Sequence, residues 1–378
     1  MELTLLDRTL RPIGVLDGYS KCTWKRSYWN TGSFSLETDG SFFPLLRQAA
    51  YIYRPEVEET ALIQTLSYQQ NEKGRASASA SGDLMEGLLA RWVIRQQTDL
   101  TGTPEELCRE LVRLCCISDP GRELPGLSFG PVLGGGEPAS MQYKGENLLE
   151  QLQKLLKEQE LSQRLTFDFD SGGLVYQVWQ GKDRTDGQSL LPPVIFSTEW
   201  ENLLSDHYQW DEKSYANAAY VLGADRTKVN AQGESYTIPG PIVEVDQSGE
   251  EQRRELWVNA SSVSWTKDTR ADGTAIEYSQ AEYQSLLEQE GREALAQAQR
   301  VQSVKSAVDP GSNQRYRVDW DLGDKVTYLH QAAGVSLDKR VTEVVEISDS
   351  REESLGVTFG EEYELNLLKV IHKEVKKG

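Results

Sequence analysis

The stretch Asp319-Trp320-Asp321-Leu322-Gly323-Asp324-Lys325-Val326-Thr327-Tyr328-Leu329-His330 puts three aspartates and one of only three histidines within twelve residues. Two readings compete: an acid/base or metal centre, or a turn that feeds a β-strand. Asp319 and Asp321 flank Trp320 in an alternating run, so in a strand both project to the face opposite the indole. Leu322-Gly323-Asp324 reads as a turn. Lys325 to Leu329 is then a strand with Val326 and Thr327 on opposite faces. His330 follows Asp324 at a reach of about 20 Å along an extended chain. The stretch is read as backbone architecture, and the chain around it as strand-rich.

Other carboxylates give the same answer. Asp168 and Asp170 lie on one face of a strand entering a turn. Two carboxylates that close suit glycoside hydrolysis or cation binding, but in this position they more commonly face water. Lys267-Asp268-Thr269-Arg270-Ala271-Asp272-Gly273 resembles a calcium loop until Arg270 stands where a ligand is needed and Ser279 replaces the bidentate Glu. Gly134-Gly135-Gly136 is followed by Glu137-Pro138, not by the Lys-Ser/Thr of a phosphate loop. There is no H-E-x-x-H. His207, His330 and His372 are the whole histidine inventory. No cofactor or metal is expected, and the chain is not expected to be an enzyme.

The strand reading extends along most of the chain. Glu2–Leu6, Ile13–Leu16, Cys22–Tyr28, Ser33–Thr38, Tyr51–Arg54 and Ala61–Tyr68 are short apolar or alternating runs, with Asn30-Thr31-Gly32 as a hairpin turn. Ala76–Ser81, ASASAS, is read as a strand of small residues against a crowded neighbour. Asp83 is expected to cap a short helix bearing Leu84, Leu88 and Leu89. Thr103, Pro104 and Glu106 form a capping box with Pro at the first helical position, opening a helix with Leu107, Leu111, Leu114 and Cys115 on its buried face. A second helix spans about 146–158, with Leu148, Leu149, Leu152, Leu155 and Leu156 as its stripe. Arg164–Phe169 and Leu174–Trp179 make a hairpin. Strands return at Val194–Ser197, Tyr215–Leu222 and Thr237–Val245. Ser279 and Glu282 open a third helix that Gly291 is expected to kink or split. Tyr316–Trp320, Lys325–Leu329, Val341–Ser348 and Ser354–Phe359 are strands, and Leu365–Lys377 is a frayed helix.

The chain has 378 residues, 38% hydrophobic and 26% charged, with a formal net charge of −19. That composition folds, and the length suffices for several compact units. The acidity disfavours binding to nucleic acid backbone or anionic lipid, but suits a surface that DNA slides past. No run is long and apolar enough to cross a membrane, and the start lacks a secretory signal. Cys22, Cys108, Cys115 and Cys116 offer no C-x-x-C spacing and are read as buried free thiols.

At this point the chain resembles a known family. Leu16-Asp17-Gly18-Tyr19, Trp24-Lys25-Arg26-Ser27-Tyr28 and Gly32-Ser33-Phe34-Ser35-Leu36 carry the likeness near the start. Ser81-Gly82-Asp83-Leu84, Gly181-Lys182-Asp183-Arg184-Thr185, Asn202-Leu203 and Tyr215-Ala216-Asn217-Ala218-Ala219 continue it. Asp321-Leu322-Gly323-Asp324-Lys325-Val326-Thr327 and Val357-Thr358-Phe359-Gly360 complete it. The order and spread of these strings resemble the tail-hub family of siphophages and prophages, related to the baseplate hubs of contractile tails and to tail-associated proteins.

The resemblance implies an α+β, strand-rich fold with two β-barrel-like hub domains. These are residues 1–95, and residues 196–262 with 301–378. An α+β insert occupies 96–195 and a helical insert 263–300. It implies a structural hub protein of the virion tail: a homo-trimeric ring that closes the distal end of the tail tube. DNA and the tape-measure protein would pass through it, and distal tail, fibre or tip proteins would be its neighbours. Within this reading Gly323 allows a tight turn and Asp324 accepts backbone N–H bonds at a strand start. Gly181, Asp183, Arg184 and Thr185 pin the exit of the preceding hairpin through an Arg–carboxylate pair, and Asn217 is a further structural position. The alternatives are a carbohydrate-binding host-recognition module built on the Trp and Tyr residues, and a peptidoglycan-degrading enzyme using Asp168 and Asp170 or the Asp319–Asp324 group.

Overall fold

The protein is represented by a computed structural model that describes residues 2–270, 274–309, 311–349 and 353–360. The expected helix at 365–377 and the Ala271–Gly273 part of the discarded calcium loop lie outside the described residues.

The N-terminal region contains β1 (Leu3–Leu6), β2 (Pro12–Leu16), β3 (Tyr19–Ser27), β4 (Ser33–Asp39), a one-turn helix α1 (Phe43–Leu46), β5 (Tyr51–Tyr53), β6 (Ala61–Leu62), β7 (Thr65–Gln70) and β8 (Ala76–Asp83). Alternation decides which face is buried: Phe34, Leu36 and Thr38 of β4 point inward. β8 is indeed a strand. Its Ala78 and Ala80 are buried in the core that Trp24, Phe34 and Leu36 fill. Asp83 does not cap a helix. It stays in β8 opposite Ser33, and its carboxylate accepts from Gln64 Nε2 (2.8 Å). The apolar residues beyond it form a 3-10 run, Met85–Arg91, whose N-cap is Leu84.

The segment expected as the first insert follows with β9 (Thr98–Gly102), α2 (Pro104–Cys116), β10 (Leu127–Phe129), β11 (Ala139–Tyr143), α3 (Leu148–Glu158), β12 (Ser162–Asp168) and β13 (Gly173–Trp179). The capping box is present: Thr103 Oγ1 accepts from Glu106 N, and the Glu106 carboxylate accepts from Thr103 N at 2.8 Å. Leu107, Leu111, Leu152 and Leu156 share a core with Leu165 and Tyr176 of the hairpin. All four cysteines are buried and unbridged.

Next come β14 (Asp183–Arg184), β15 (Ile195–Phe196) and β16 (Leu203–Asp211), then β17 (Ala218–Leu222), β18 (Arg226–Val229), β19 (Ser235–Ile238), β20 (Ile242–Asp246), β21 (Glu255–Asn259), β22 (Thr266–Thr269), β23 (Ala275–Glu277) and α4 (Gln280–Gln297). The sheet β20-β17-β21 packs on α4 around Val221, Val243, Tyr283 and Leu287. The helix expected within 263–300 therefore shares a core with strands from 218–259. It is not split: α4 runs through Gly291, where the missing side chain lets Val245 and Val221 approach.

The chain then builds β24 (Val301–Val308), β25 (Lys325–His330), β26 (Val335–Asp349) and β27 (Glu353–Gly360). These close onto the N-terminal strands in one large sheet, ordered β16-β24-β27-β26-β3-β4-β8-β7. The first part of β26 pairs with β25, and the rest pairs with β3 and β27 past an irregularity between Val341 and Glu343. Tyr316–Trp320 is not a strand. Asp319 Oδ2 accepts from Arg315 N (2.8 Å) and Arg317 N donates to Trp320 O (2.7 Å), which folds the segment into a tight loop. Trp320 is driven inward against Phe196 and Tyr316.

Candidate functional site

The loop after β13 and the loop before β25 meet at Asp324. β14 lies parallel to the start of β25, with Asp183 opposite Lys325 and Arg184 opposite Val326. Asp324, 5% exposed, accepts from Lys182 N with Oδ1 (2.7 Å), and from Arg184 Nε (3.0 Å) and Asp321 N (3.2 Å) with Oδ2. Burial pushes its carboxyl above the usual value, while those backbone N–H groups and Arg184 pull it down. Its oxygens are spent on local backbone and one guanidinium, which makes it a clasp between two loops.

The glycines permit this approach. Gly323 has φ +83°, and a Cβ there would meet Tyr28 at 2.6 Å and Trp179 at 2.8 Å. A Cβ on Gly181 would sit 2.0 Å from the Gly323 carbonyl. Gly323 N donates to Val341 O (2.8 Å) and its carbonyl accepts from Arg340 Nη1 (2.6 Å), which ties the clasp to β26. Asp183 Oδ1 accepts from Thr185 N (3.0 Å) and Thr185 Oγ1 (2.8 Å), closing the turn after β14. Asn217 stands elsewhere. Its Oδ1 accepts from Arg254 N (2.7 Å) and its Nδ2 donates to Gln252 O (3.1 Å), holding the approach to β21 beside β17.

The carboxylates weighed for chemistry are dispersed among cations and turns. Asp319 is held below the usual range by Arg315. Asp321 Oδ1 pairs with Arg26 Nη1 at 2.6 Å. His330 Nδ1 accepts from Ala333 N (3.2 Å), with Glu199 at 3.6 Å and Asp206 at 3.9 Å. Asp168 Oδ1 accepts from Asp170 N (3.1 Å), so the two serve one turn. Among the described residues, no three His, Cys, Asp or Glu side chains gather as a metal site would require.

The sequence reading missed a second buried network beside the clasp. Arg26, in β3, grips Glu59 with two bonds of 2.8 Å and also reaches Tyr316 Oη (2.8 Å) and Asp321. Burial opposes the charge on Arg26, but Glu59, Tyr316 and Asp321 together hold it more firmly protonated than usual. Arg54, stacked 5.0 Å from the Trp24 ring, pairs with Glu346 (3.0 Å). A cleft of about 320 Å³ opens here, lined by Arg54, Arg315, Tyr316, Arg317 and Glu346. Its arginines already face carboxylates: Arg315 meets Asp319 at 3.2 Å, and Arg317 meets Glu346 at 3.7 Å. Arg26 lies in a loosely alternating, largely polar strand, and its partners are remote in the chain.

The family model described as Siphovirus ReqiPepy6 Gp37-like protein matches residues 2–361. Among solved structures, the chain is similar to the 43 kDa tail protein of prophage MuSo2 from Shewanella oneidensis. That match has 14% identity, covers 95% of this chain and 98% of that one, and has a TM-score of 0.52. A tail protein from Neisseria meningitidis MC58 matches at 13% identity over 92% and 94%, TM-score 0.52. Prophage tail protein gp18 from Listeria monocytogenes EGD-e matches at 12% identity over 100% of both chains, TM-score 0.50. At these identities the likeness is one of fold. No curated protein matches the chain.

Proposed function

The chain belongs to the Siphovirus ReqiPepy6 Gp37-like protein family, and on that premise we propose that it is a structural hub of a phage or prophage tail. Three copies form a ring at the distal end of the tail tube. In each copy residues 1–95 supply one barrel-like hub domain and residues 196–262 with 301–378 supply the other, with the inserts outside. DNA and the tape-measure protein pass through the ring, and distal tail, fibre or tip proteins dock on it. The role is architectural and not catalytic, and its place is the virion tail.

The observation that carries this reading is the large sheet. It draws strands from both ends of the chain and, among the described residues, ends in open edges at β16 and β7. Open edges call for strand partners, which neighbouring copies in a ring supply. The net charge of −19 favours a lumen wall along which DNA moves without adhering. Solution mass with negative-stain imaging tests it. A three-subunit mass and a ring with an opening wide enough for duplex DNA support the hub. A monomer at every concentration, or a disc without a hole, counts against it. Zymography on peptidoglycan tests the absence of catalysis.

One observation favours a second reading. Trp200, Trp210 and Trp257 are 50%, 54% and 57% exposed, and exposed indoles suit stacking on sugars. A glycan array separates a host-recognition module from a hub.

A further inference from the structure

The two inserts meet along a seam in which α4 packs against α3 and β11. Amides stitch parts of it. Ser264 N donates to Gln142 Oε1 (2.6 Å), Gln142 Nε2 donates to Ser264 O (3.2 Å), and Gln289 Nε2 donates to Glu158 Oε2 (2.9 Å). Between these contacts lie Glu293, 8% exposed, and Tyr143, 2% exposed. Glu293 Oε1 and Tyr143 Oη are both buried without a hydrogen-bond partner.

The surroundings of Glu293 are acidic. α3 presents Lys154 and Glu158. β11 and the bend after it present Tyr143 and Glu146, and α2 adds Cys108 beside Tyr143. α4 itself carries Gln289, Glu290 and Arg292. The sheet beneath α4 offers apolar Val221 and Val245 at Gly291. Its charged residues Glu244, Asp246 and Glu255 are on the other face, gathered by Arg253. A second anion in this place meets both desolvation and like charge.

We propose that the seam closes around a proton: Glu293 is a neutral carboxylic acid when the inserts are docked, and its ionisation loosens α4 from α3 and β11. Burial pushes the Glu293 carboxyl up to about 8. Glu290 and Glu158 add to the shift, and Gln289 and Lys154 oppose it. Burial raises Glu290 and Glu158 as well. The folded chain thus binds more protons than the unfolded one. Docking is fully supported in acid and weakens as pH rises from the ordinary carboxylate range through about 8. This joint requires only the two inserts and stands apart from the tail assignment.

Hydrogen exchange by mass spectrometry on the full chain tests it, between about pH 6 and about pH 9 and corrected for intrinsic rates. The readout is protection of α4 and β11 relative to β26. Wild-type protection falls with rising pH, approaching about tenfold per pH unit for a one-proton joint. Glu293→Gln keeps its low-pH protection throughout, and Tyr143→Phe keeps the wild-type slope. A flat wild-type profile, or a Glu293→Gln profile that falls like wild type, overturns the proposal. If Glu293→Gln does not fold, the wild-type profile decides alone.

Discussion

Asp324 accepts hydrogen bonds from Lys182 N, Arg184 Nε and Asp321 N, and no water-facing oxygen is needed to satisfy it. Asp324→Asn keeps the shape but presents an amide N–H among converging donors and leaves Arg184 without its counter-charge. The expected loss is about 3 kcal/mol, seen as a lower urea midpoint at unchanged slope. The local roles of Gly323 and Asp324 were legible because turn chemistry is written in adjacent residues. The grip of Arg26 on Glu59 was not, since alternation marks which side chains face inward but names no partner. Glu86 makes a separate prediction at this scale. It is buried, Oε1 accepts from Gly32 N (3.0 Å), Oε2 is unpartnered, and burial pushes its carboxyl from 4.5 to about 7. The folded state holds its proton more tightly, so stability falls as pH rises from 4.5 to about 7 and levels off above. Glu86→Gln should flatten this part of the profile by about 3 kcal/mol, measured by denaturant unfolding across that window.

At the scale of elements, signals carried by a few adjacent residues translated directly. The capping box of α2, the stripe of α3 and the β12–β13 hairpin stand where the pattern placed them. β16 and β24 went unread. The β16 sequence LLSDHYQWD sits at a sheet edge and shows no clean alternation, and β24 has six consecutive buried residues, including Lys305. Gly291 was misread for a related reason. Propensity treats a mid-helix glycine as a weak point, worth about 1 kcal/mol against alanine. In α4 that glycine is where the helix touches its sheet. An alanine Cβ would lie 2.6 Å from Val245 Cγ2 and 2.9 Å from Val221 Cγ2. Gly291→Ala should therefore lower stability by about 1–2 kcal/mol despite its better propensity. Adding Val245→Ala should recover part of the loss in thermal unfolding, because it removes the nearer clash.

At the scale of the whole molecule, the pairing of β3 with β26 joins residues near the start of the chain to residues near its end, with Val344 opposite Arg26 and Ser348 opposite Cys22. Neither strand announces the other in sequence, so the large sheet could be anticipated only through family resemblance. Its consequence is mechanical: the two ends should open as one cooperative unit. Two cysteines report on it. Cys22 is buried in β3, and burial holds its thiol up to about 12. Cys108 is buried in α2, in a core that Leu6, Leu62 and Leu88 of the N-terminal region share. Each therefore reacts with a thiol reagent only after its region opens. Val344 is fully buried against Val341, Val357 and the rings of the C-terminal core, so Val344→Ala should cost about 2 kcal/mol. In pulsed thiol labelling across a urea series, that substitution should shift the midpoint for Cys22, more than 300 residues away in sequence, and shift that for Cys108 less, because the Cys108 core borders the N-terminal region and contains no residue of β26. Equal shifts at both cysteines would mean that hub and insert unfold together. A shift at neither would mean that the β3–β26 pairing does not bind the ends of the chain into one unit.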